Sequence, residues 1–292
     1  MEHMRKAMYW SVAENESAQC GLCPHRCVVA KNAFGLCGAR ENRGGELLCS
    51  GYGRVSSMAL DPIEKKPLYL FQPGKYVLSI GGFGCNLNCP FCQNHEISMV
   101  RQGEKQDCEP DPVTPEDIVT LALKTTARGN TGVAYTYNEP LIGYEFLYDC
   151  ARLIHNAGLY NIVVTNGFIN EEPLENLMPF IDAMNIDLKG FTNDFYRKLG
   201  GSLETVMETI SRSHKSCHVE VTTLVIPGEN EGDIEELAKW LSSISPDIPL
   251  HLSRFFPRFK YSGRKPTPEE TIYRLSEIAK KHLKFVFAGN MR

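Results

Sequence analysis

The sequence predicts an α/β protein: a partial (β/α)6 barrel preceded by an irregular, Cys-rich N-terminal segment. Three observations predict it. From Tyr76 onward, short apolar runs alternate with helix-length amphipathic stretches, the pattern of right-handed βαβ units on a parallel sheet. Before that, residues 1–72 show no such period and are punctuated by Gly44-Gly45, Pro62 and Pro67,. Finally, the most unusual residues of the chain fall where expected strands end, the place at which parallel β/α barrels gather ligands.

The elements follow in order. Tyr76–Gly81 is a short apolar run closed by glycines, which suits a buried strand,. Pro115–Arg128 reads as a helix with Thr114 as N-cap and Pro115 at the first position,. Further strands are expected at Gly132–Tyr137, Asn161–Thr165, Ala183–Leu188, His218–Ile226 and Leu250–Phe255. Helices are expected between them at Gly143–Asn156, Glu172–Phe180, Leu203–His214 and Asp233–Ser243. A last helix, Pro268–His282, precedes a terminal strand at Lys284–Ala288. Six units fit rather than eight, so the TIM-like barrel is partial, with 73–292 as its domain.

Composition narrows the function class. The chain has 292 residues, 42% hydrophobic and 23% charged, and a formal net charge of −4. That balance argues against a broad nucleic-acid surface, which needs clustered Lys and Arg. The nearest basic run, Arg254 to Arg264, reads as a loop facing an anionic ligand or solvent. No apolar run approaches the roughly 18 residues of a membrane span, and Met1-Glu2-His3-Met4-Arg5 opens no secretory signal, so a cytoplasmic location is expected. No heptads argue for a coiled-coil assembly. Eleven cysteines in a reducing compartment point to metal or redox use,. Seven fall in two groups: Cys20, Cys23, Cys27 and Cys37, then Cys85, Cys89 and Cys92. Cys49, Cys108, Cys150 and Cys217 stand alone and read as buried free thiols.

Gly81-Gly82-Phe83-Gly84-Cys85-Asn86-Leu87-Asn88-Cys89-Pro90-Phe91-Cys92 leaves the first strand with the spacing Cys-x3-Cys-x2-Cys. Three thiolates on one short loop can take three corners of an iron–sulfur cubane. The lack of a fourth nearby Cys leaves one iron open. The bland alternative is a tetrahedral zinc site completed by His95. This motif, with aromatic Phe91 before the last Cys, resembles the hallmark of the radical S-adenosylmethionine (SAM) superfamily. The resemblance implies a [4Fe-4S] cluster on Cys85, Cys89 and Cys92 and SAM chelated at the open iron. It further implies reductive S–C cleavage, usually to a 5′-deoxyadenosyl radical that abstracts hydrogen.

The same resemblance assigns further residues. Tyr137-Asn138-Glu139-Pro140 stands where the family carries a Gly-Gly-Glu-type motif, so Glu139 would face the methionine ammonium of SAM, with Asn138 departing from glycine; a surface turn is the alternative. Asp187-Leu188-Lys189 resembles the Asp-Leu-Lys motif of glycyl-radical-enzyme activases, in which the Asp helps hold a monovalent cation and the Lys approaches the methionine carboxylate. Alternation points Asp187 and Lys189 the same way; an exposed Asp–Lys pair is the alternative. Thr165, with Asn166 beside it, would be the companion from the third strand, although Val164 stands where the activases have Asp. Ile226, in Leu224–Glu231, sits in a segment resembling one whose backbone binds adenine. His251 and Arg254 are candidates for ribose or carboxylate contact, with a structural role equally open.

Cys20-x2-Cys23-x3-Cys27-x9-Cys37, with His25 as a spare ligand, leaves three readings open: zinc, a second iron–sulfur cluster, or no metal. The segments Cys20–Arg40, Asp61–Leu68 (DPIEKKPL) and Cys85–Asn94 (CNLNCPFCQN) together resemble the AmmeMemoRadiSam-system radical SAM proteins, homologues of pyruvate formate-lyase activating enzyme. In this chain Leu70 replaces a His common in that group, and the sequence stops at Arg292, short of a cysteine-containing tail many members have. Memo-type and AMMECR-type partners are what the system's name implies. Asp61–Pro67 itself reads as a loop or lid beside the cluster. The substrate is left open between a glycine of a partner protein, another protein side chain and a small molecule, with a reductant such as flavodoxin or ferredoxin. Alternatives are cleavage of another S–C bond to an aminocarboxypropyl radical, or a non-catalytic cluster scaffold or electron carrier.

Overall fold

A single open sheet of eight strands carries the molecule, in the order Val286–Gly289, Leu250–Arg254, His218–Val225, Ala183–Asp187, Tyr160–Thr165, Asn130–Tyr135, Tyr76–Gly81 and Ser57–Pro62. The computed structural model describes residues 5–100 and 111–291; the lone thiol Cys108 lies outside them. Seven strands run parallel, and Ser57–Pro62 closes one edge antiparallel to Tyr76–Gly81. The strands are apolar almost throughout and buried on both faces, as parallel sheets covered by crossover helices must be. The partial (β/α)6 barrel is therefore observed, with its terminal strand in place.

Helices follow the strands as Pro115–Lys124, Tyr144–Asn156, Glu171–Leu177, Asn193–Leu199, Leu203–Ser213, Ile234–Ile244 and Glu269–Ala279. Thr114 caps the first through a reciprocal box with Asp117, the Asp117 N–H donating to Thr114 Oγ1 at 3.1 Å and the Thr114 N–H to Asp117 Oδ2 at 2.9 Å,. The helix Asn193–Leu199 was not expected. Thr192 caps it, and Gly200 ends it in the left-handed region at φ 76°,.

The N-terminal segment departs further from expectation. Far from wholly irregular, it holds two three-stranded antiparallel sheets, one of Arg5–Lys6, Glu46–Cys49 and Arg40–Arg43, the other of Trp10–Val12, Ala18–Cys20 and Val28–Val29. Ser57–Pro62, inside the expected segment, joins the large sheet instead. A buried ion pair ties the layer to the barrel: Arg40 Nη1 donates to Glu145 Oε1 at 2.8 Å, with both side chains almost fully enclosed.

Asp61–Pro67, expected as a loop or lid beside the cysteines, is a packed loop rather than a lid. It ends a strand, turns through the 3-10 segment Ile63–Lys65, and runs under the barrel mouth. Ile63 and Leu68 pack against Val77, Ala134, Ile162 and Ala183. The polar interior closes over the same segment. Asn185 Nδ2 donates to Pro67 O at 2.8 Å, and the backbone N–H groups of Tyr69 and Leu70 donate to Glu220 at 3.0 and 2.8 Å.

Glu220 is fully buried and also meets His251 Nε2 at 2.6 Å and His218 Nε2 at 2.9 Å. Burial alone would push this carboxyl up, but its four hydrogen bonds override that and hold it down at about 2,. A carboxyl depressed on folding stabilises the protein above its unfolded value, near 4.5, and loses that contribution as pH falls toward 2,. We therefore expect thermal melts of the wild type to collapse between pH 4.5 and 2, whereas Glu220→Gln, already weaker at neutral pH, loses on the order of 3 kcal/mol less over that window. Equal slopes for the two proteins would contradict this role.

Candidate active site

The cysteine loop is shaped by what its neighbours require. Gly84 adopts φ +87°, and a Cβ there would collide with the Cys37 carbonyl oxygen, so only glycine fits. Asn138 straps the loop to the next strand: its Oδ1 accepts from Gly82 N at 2.9 Å and its Nδ2 donates to Gly84 O at 3.0 Å. Asn86 Nδ2 donates to Phe168 O at 2.7 Å, and the Asn88 N–H to Leu199 O at 2.8 Å. The loop is thus fixed from three sides before any ligand arrives.

Cys85, Cys89 and Cys92 open onto one cavity of about 370 Å³ at the C-terminal ends of the strands, within the ordinary range for a small-molecule site. Phe91, Asn138, Glu139, Thr165, Asn166, Asp187 and Lys189 line it as well. Phe91 is buried and stacks on Phe195 with centroids 6.2 Å apart, which sets the position of the third cysteine. Burial pushes the Cys85 thiol well up and the Cys89 thiol to about 11, Lys189 opposing it at Cys89. Without a metal these thiols hold their protons; a metal would displace them.

Glu139 is held from all sides. Its Oε1 accepts from Thr165 Oγ1 at 2.7 Å and from Leu141 N at 3.0 Å, and its Oε2 from Asn166 N at 2.8 Å. Burial pushes the carboxyl up to about 7 against those three hydrogen bonds. An ammonium entering the cavity would favour its charged form. Lys189 Nζ donates to Asp187 Oδ2 at 2.9 Å. Burial disfavours the Lys189 charge, but Asp187 and Cys89 outweigh it and raise its pKa. The two residues expected at a monovalent cation have separate commitments, Asp187 to Lys189 and Thr165 to Glu139.

Three expected contacts lie outside the cavity's lining. Ile226 is fully buried, and its N–H donates to Asn230 Oδ1 at 2.8 Å. His251 points into the barrel at the depth of Glu220, below the mouth; Ser253, two residues on, lines the cavity. Arg254 Nε donates to Thr267 O at 2.6 Å and Nη1 to Glu269 Oε1 at 2.8 Å. His95, the alternative zinc ligand, is not in the lining either and stacks on Phe259 at 4.6 Å. Tyr137 and Ser253 do line the cavity and were not foreseen, while Lys65, Lys66 and Pro67 line it from the segment expected beside the cysteines. Lys66 is buried, donates to Asp61 Oδ2 at 2.9 Å and lies 4.6 Å over the Tyr137 ring, whose hydroxyl also donates to Asp61 Oδ2. The one available signal for Lys66 was its mixed-charge run between Pro62 and Pro67.

Among the described residues, no three His, Cys, Asp or Glu side chains crowd together as ligands of one metal ion. Thiolates on a cubane bind separate irons and stand farther apart. Three thiols lining one cavity together with a carboxylate and an ammonium fit a cluster that leaves one iron for an amino acid ligand. No helix among the described residues is long and apolar enough to cross a membrane.

Known proteins agree with this geometry. A family model described as "Radical SAM superfamily" matches residues 79–241. Uncharacterized protein MJ0808 of Methanocaldococcus jannaschii is 40% identical over 295 residues, covering 99% of this chain and 86% of that protein. Pyruvate formate-lyase 1-activating enzyme of Escherichia coli is 24% identical over 220 residues, covering 68% and 86%. Among solved structures, SuiB of Streptococcus suis bound to S-adenosylmethionine aligns with a TM-score of 0.53 at 14% identity, covering 70% of this chain and 47% of that one. That last likeness shows the fold.

Proposed function

The chain belongs to the radical SAM superfamily, and we propose on that footing that it cleaves SAM to a 5′-deoxyadenosyl radical that takes a hydrogen atom from a partner protein, as a glycyl-radical activase does. Membership implies a [4Fe-4S] cluster and SAM. The cluster, when bound, supplies the single electron that breaks the S–C bond. The observation that carries the reading is the shared cavity, in which three thiols, Glu139, Asp187 and Lys189 meet.

The chain's own residues bind and orient. Cys85, Cys89 and Cys92 would each hold one iron of the cluster. Glu139 receives the ammonium of SAM, held in place by Thr165, Asn166 and Leu141. Lys189 receives its carboxylate, drawing on a charge-assisted contact. Phe91, packed on Phe195, lines the cavity beside the third cysteine. The Escherichia coli relative, an activating enzyme by name, supports a protein as the hydrogen donor. A reductant of the flavodoxin or ferredoxin type would deliver the electron.

The test is anaerobic. The reconstituted, reduced protein is given SAM and the products are identified by mass spectrometry. Deoxyadenosine with methionine is expected, and Lys189→Met should weaken SAM binding about tenfold. Methylthioadenosine as the main product would contradict the proposed radical.

A further inference from the structure

The ionisable side chains of the large cavity divide unequally. Besides the three cysteines they are Lys65, Lys66, Tyr137, Glu139, Asp187 and Lys189. The proposed SAM contacts use Glu139 and Lys189, and Asp187 is paired with Lys189. Lys65, Lys66 and Tyr137 are left without a part in binding SAM.

These three share one carboxylate. Asp61 accepts from Lys66 Nζ at 2.9 Å, from the Tyr137 hydroxyl at 2.8 Å and from Lys65 Nζ at 3.3 Å. Burial would raise the Asp61 carboxyl, but those bonds hold it well below the usual carboxylate range, so it stays charged,. One negative charge then stands against two ammoniums, and the group keeps a net positive charge at the cavity.

Lys66 is the unusual member. It is 3% exposed, and a lysine this enclosed is rare. Stability does not explain it, because an interior ion pair gains little over an apolar contact. Of its three N–H donors, Asp61 takes one, and the Tyr137 ring faces the ammonium at 4.6 Å,. Among the described residues no second acceptor meets Lys66 Nζ. Its place is fixed. The Lys66 N–H donates to Ile63 O at 2.8 Å, Ile63 and Leu68 are buried to either side, and Asn185 holds Pro67 O. Tyr137 itself has φ 70°, a left-handed conformation that is strained for a side chain of this size and that gathers at functional sites,.

We propose that Lys66, assisted by the more exposed Lys65, binds an acidic group of the substrate. This rests on the reading that the hydrogen donor is a segment of a partner protein, and narrows it: the target glycine lies next to an acidic side chain whose carboxylate meets the remaining Lys66 donors. A buried ammonium suits the task, because it is ordered before the ligand arrives and its hydrogen bonds to a carboxylate are charge-assisted.

Three probes test this by calorimetric titration into the reconstituted, SAM-loaded protein without reductant. They are a blocked tripeptide of glycine flanked by glutamates, its twin flanked by glutamines, and free glutarate. The glutamate peptide should bind about tenfold tighter than its twin. Lys66→Met should erase that preference and Lys66→Arg should keep most of it, with thermal melts reporting that both variants fold. Equal affinities for the twins, no binding of any probe, or a preference that survives Lys66→Met would overturn the proposal. If Lys66→Met does not fold, the wild-type comparison of the twins still decides. Lys66-dependent binding of glutarate without either peptide would keep the acidic group and overturn the partner-protein reading instead. No SAM is cleaved in these titrations, so the identity of the radical is read separately from its products.

Discussion

Replacing Cys85, Cys89 or Cys92 singly by alanine drops SAM cleavage to background, the largest effect any side chain here should produce. In the proposed site each thiolate would take one corner of the cluster, and losing one would leave two iron positions without protein ligands instead of one. The cluster then loses both its anchoring and the single open iron that orients SAM. Folding should survive, because these side chains border a cavity and the loop is held by Asn138, Asn86 and the Asn88 N–H. Circular dichroism and thermal melts close to wild type, with cleavage products absent, are the expected result. A variant that still makes deoxyadenosine at a wild-type rate would remove the assigned cysteine from the site.

Arg40→Met is expected to give the largest loss of stability. The Arg40–Glu145 pair joins the N-terminal layer to the helix Tyr144–Asn156, with side-chain exposures of 1% and 2%. Removing one partner strands a buried charge and costs about 3–5 kcal/mol. Glu145 Oε1 also accepts from Met8 N at 2.6 Å, two residues past the strand Arg5–Lys6, so a displaced Glu145 would loosen that part of the layer as well. Arg40→Met with Glu145→Gln removes the stranded charge and keeps that acceptor, and should recover part of the loss. Urea denaturation of metal-free protein measures both. Equal stability of the single variant and the wild type would show the pair to be idle.

The parallel strands were legible because each is a near-continuous apolar run of fitting length between turn residues, and observed ends differ from expected ones by a residue or two. Ser57–Pro62 was not legible. Its side chains alternate without a clear apolar face and it ends in proline, so only pairing with a distant strand makes it a strand,. The N-terminal strands, two to four residues long, are too short for any period to show. Asn193–Leu199 carried its signals in Thr192 and Gly200, which went unread.

At the site, the cysteine spacing and the carboxylates at strand ends were readable because motif and topology agree there. Alternation tells which face a side chain takes but not its depth. His251 shares a face with Ser253, yet sits lower in the barrel, where Glu220 claims it. Arg254 was spent on Glu269 and Thr267. Lys66 reached the cavity only because Ile63 and Leu68 bury the segment that carries it.

The most direct test of the central claim, that the Cys85–Cys92 cavity holds a cluster with one iron open to SAM, is the electron paramagnetic resonance spectrum of the reduced wild type before and after SAM is added. Binding of SAM to the open iron should shift the cluster's signal, and Lys189→Met should require more SAM for the same shift. An intact cluster whose spectrum is indifferent to saturating SAM would contradict the account.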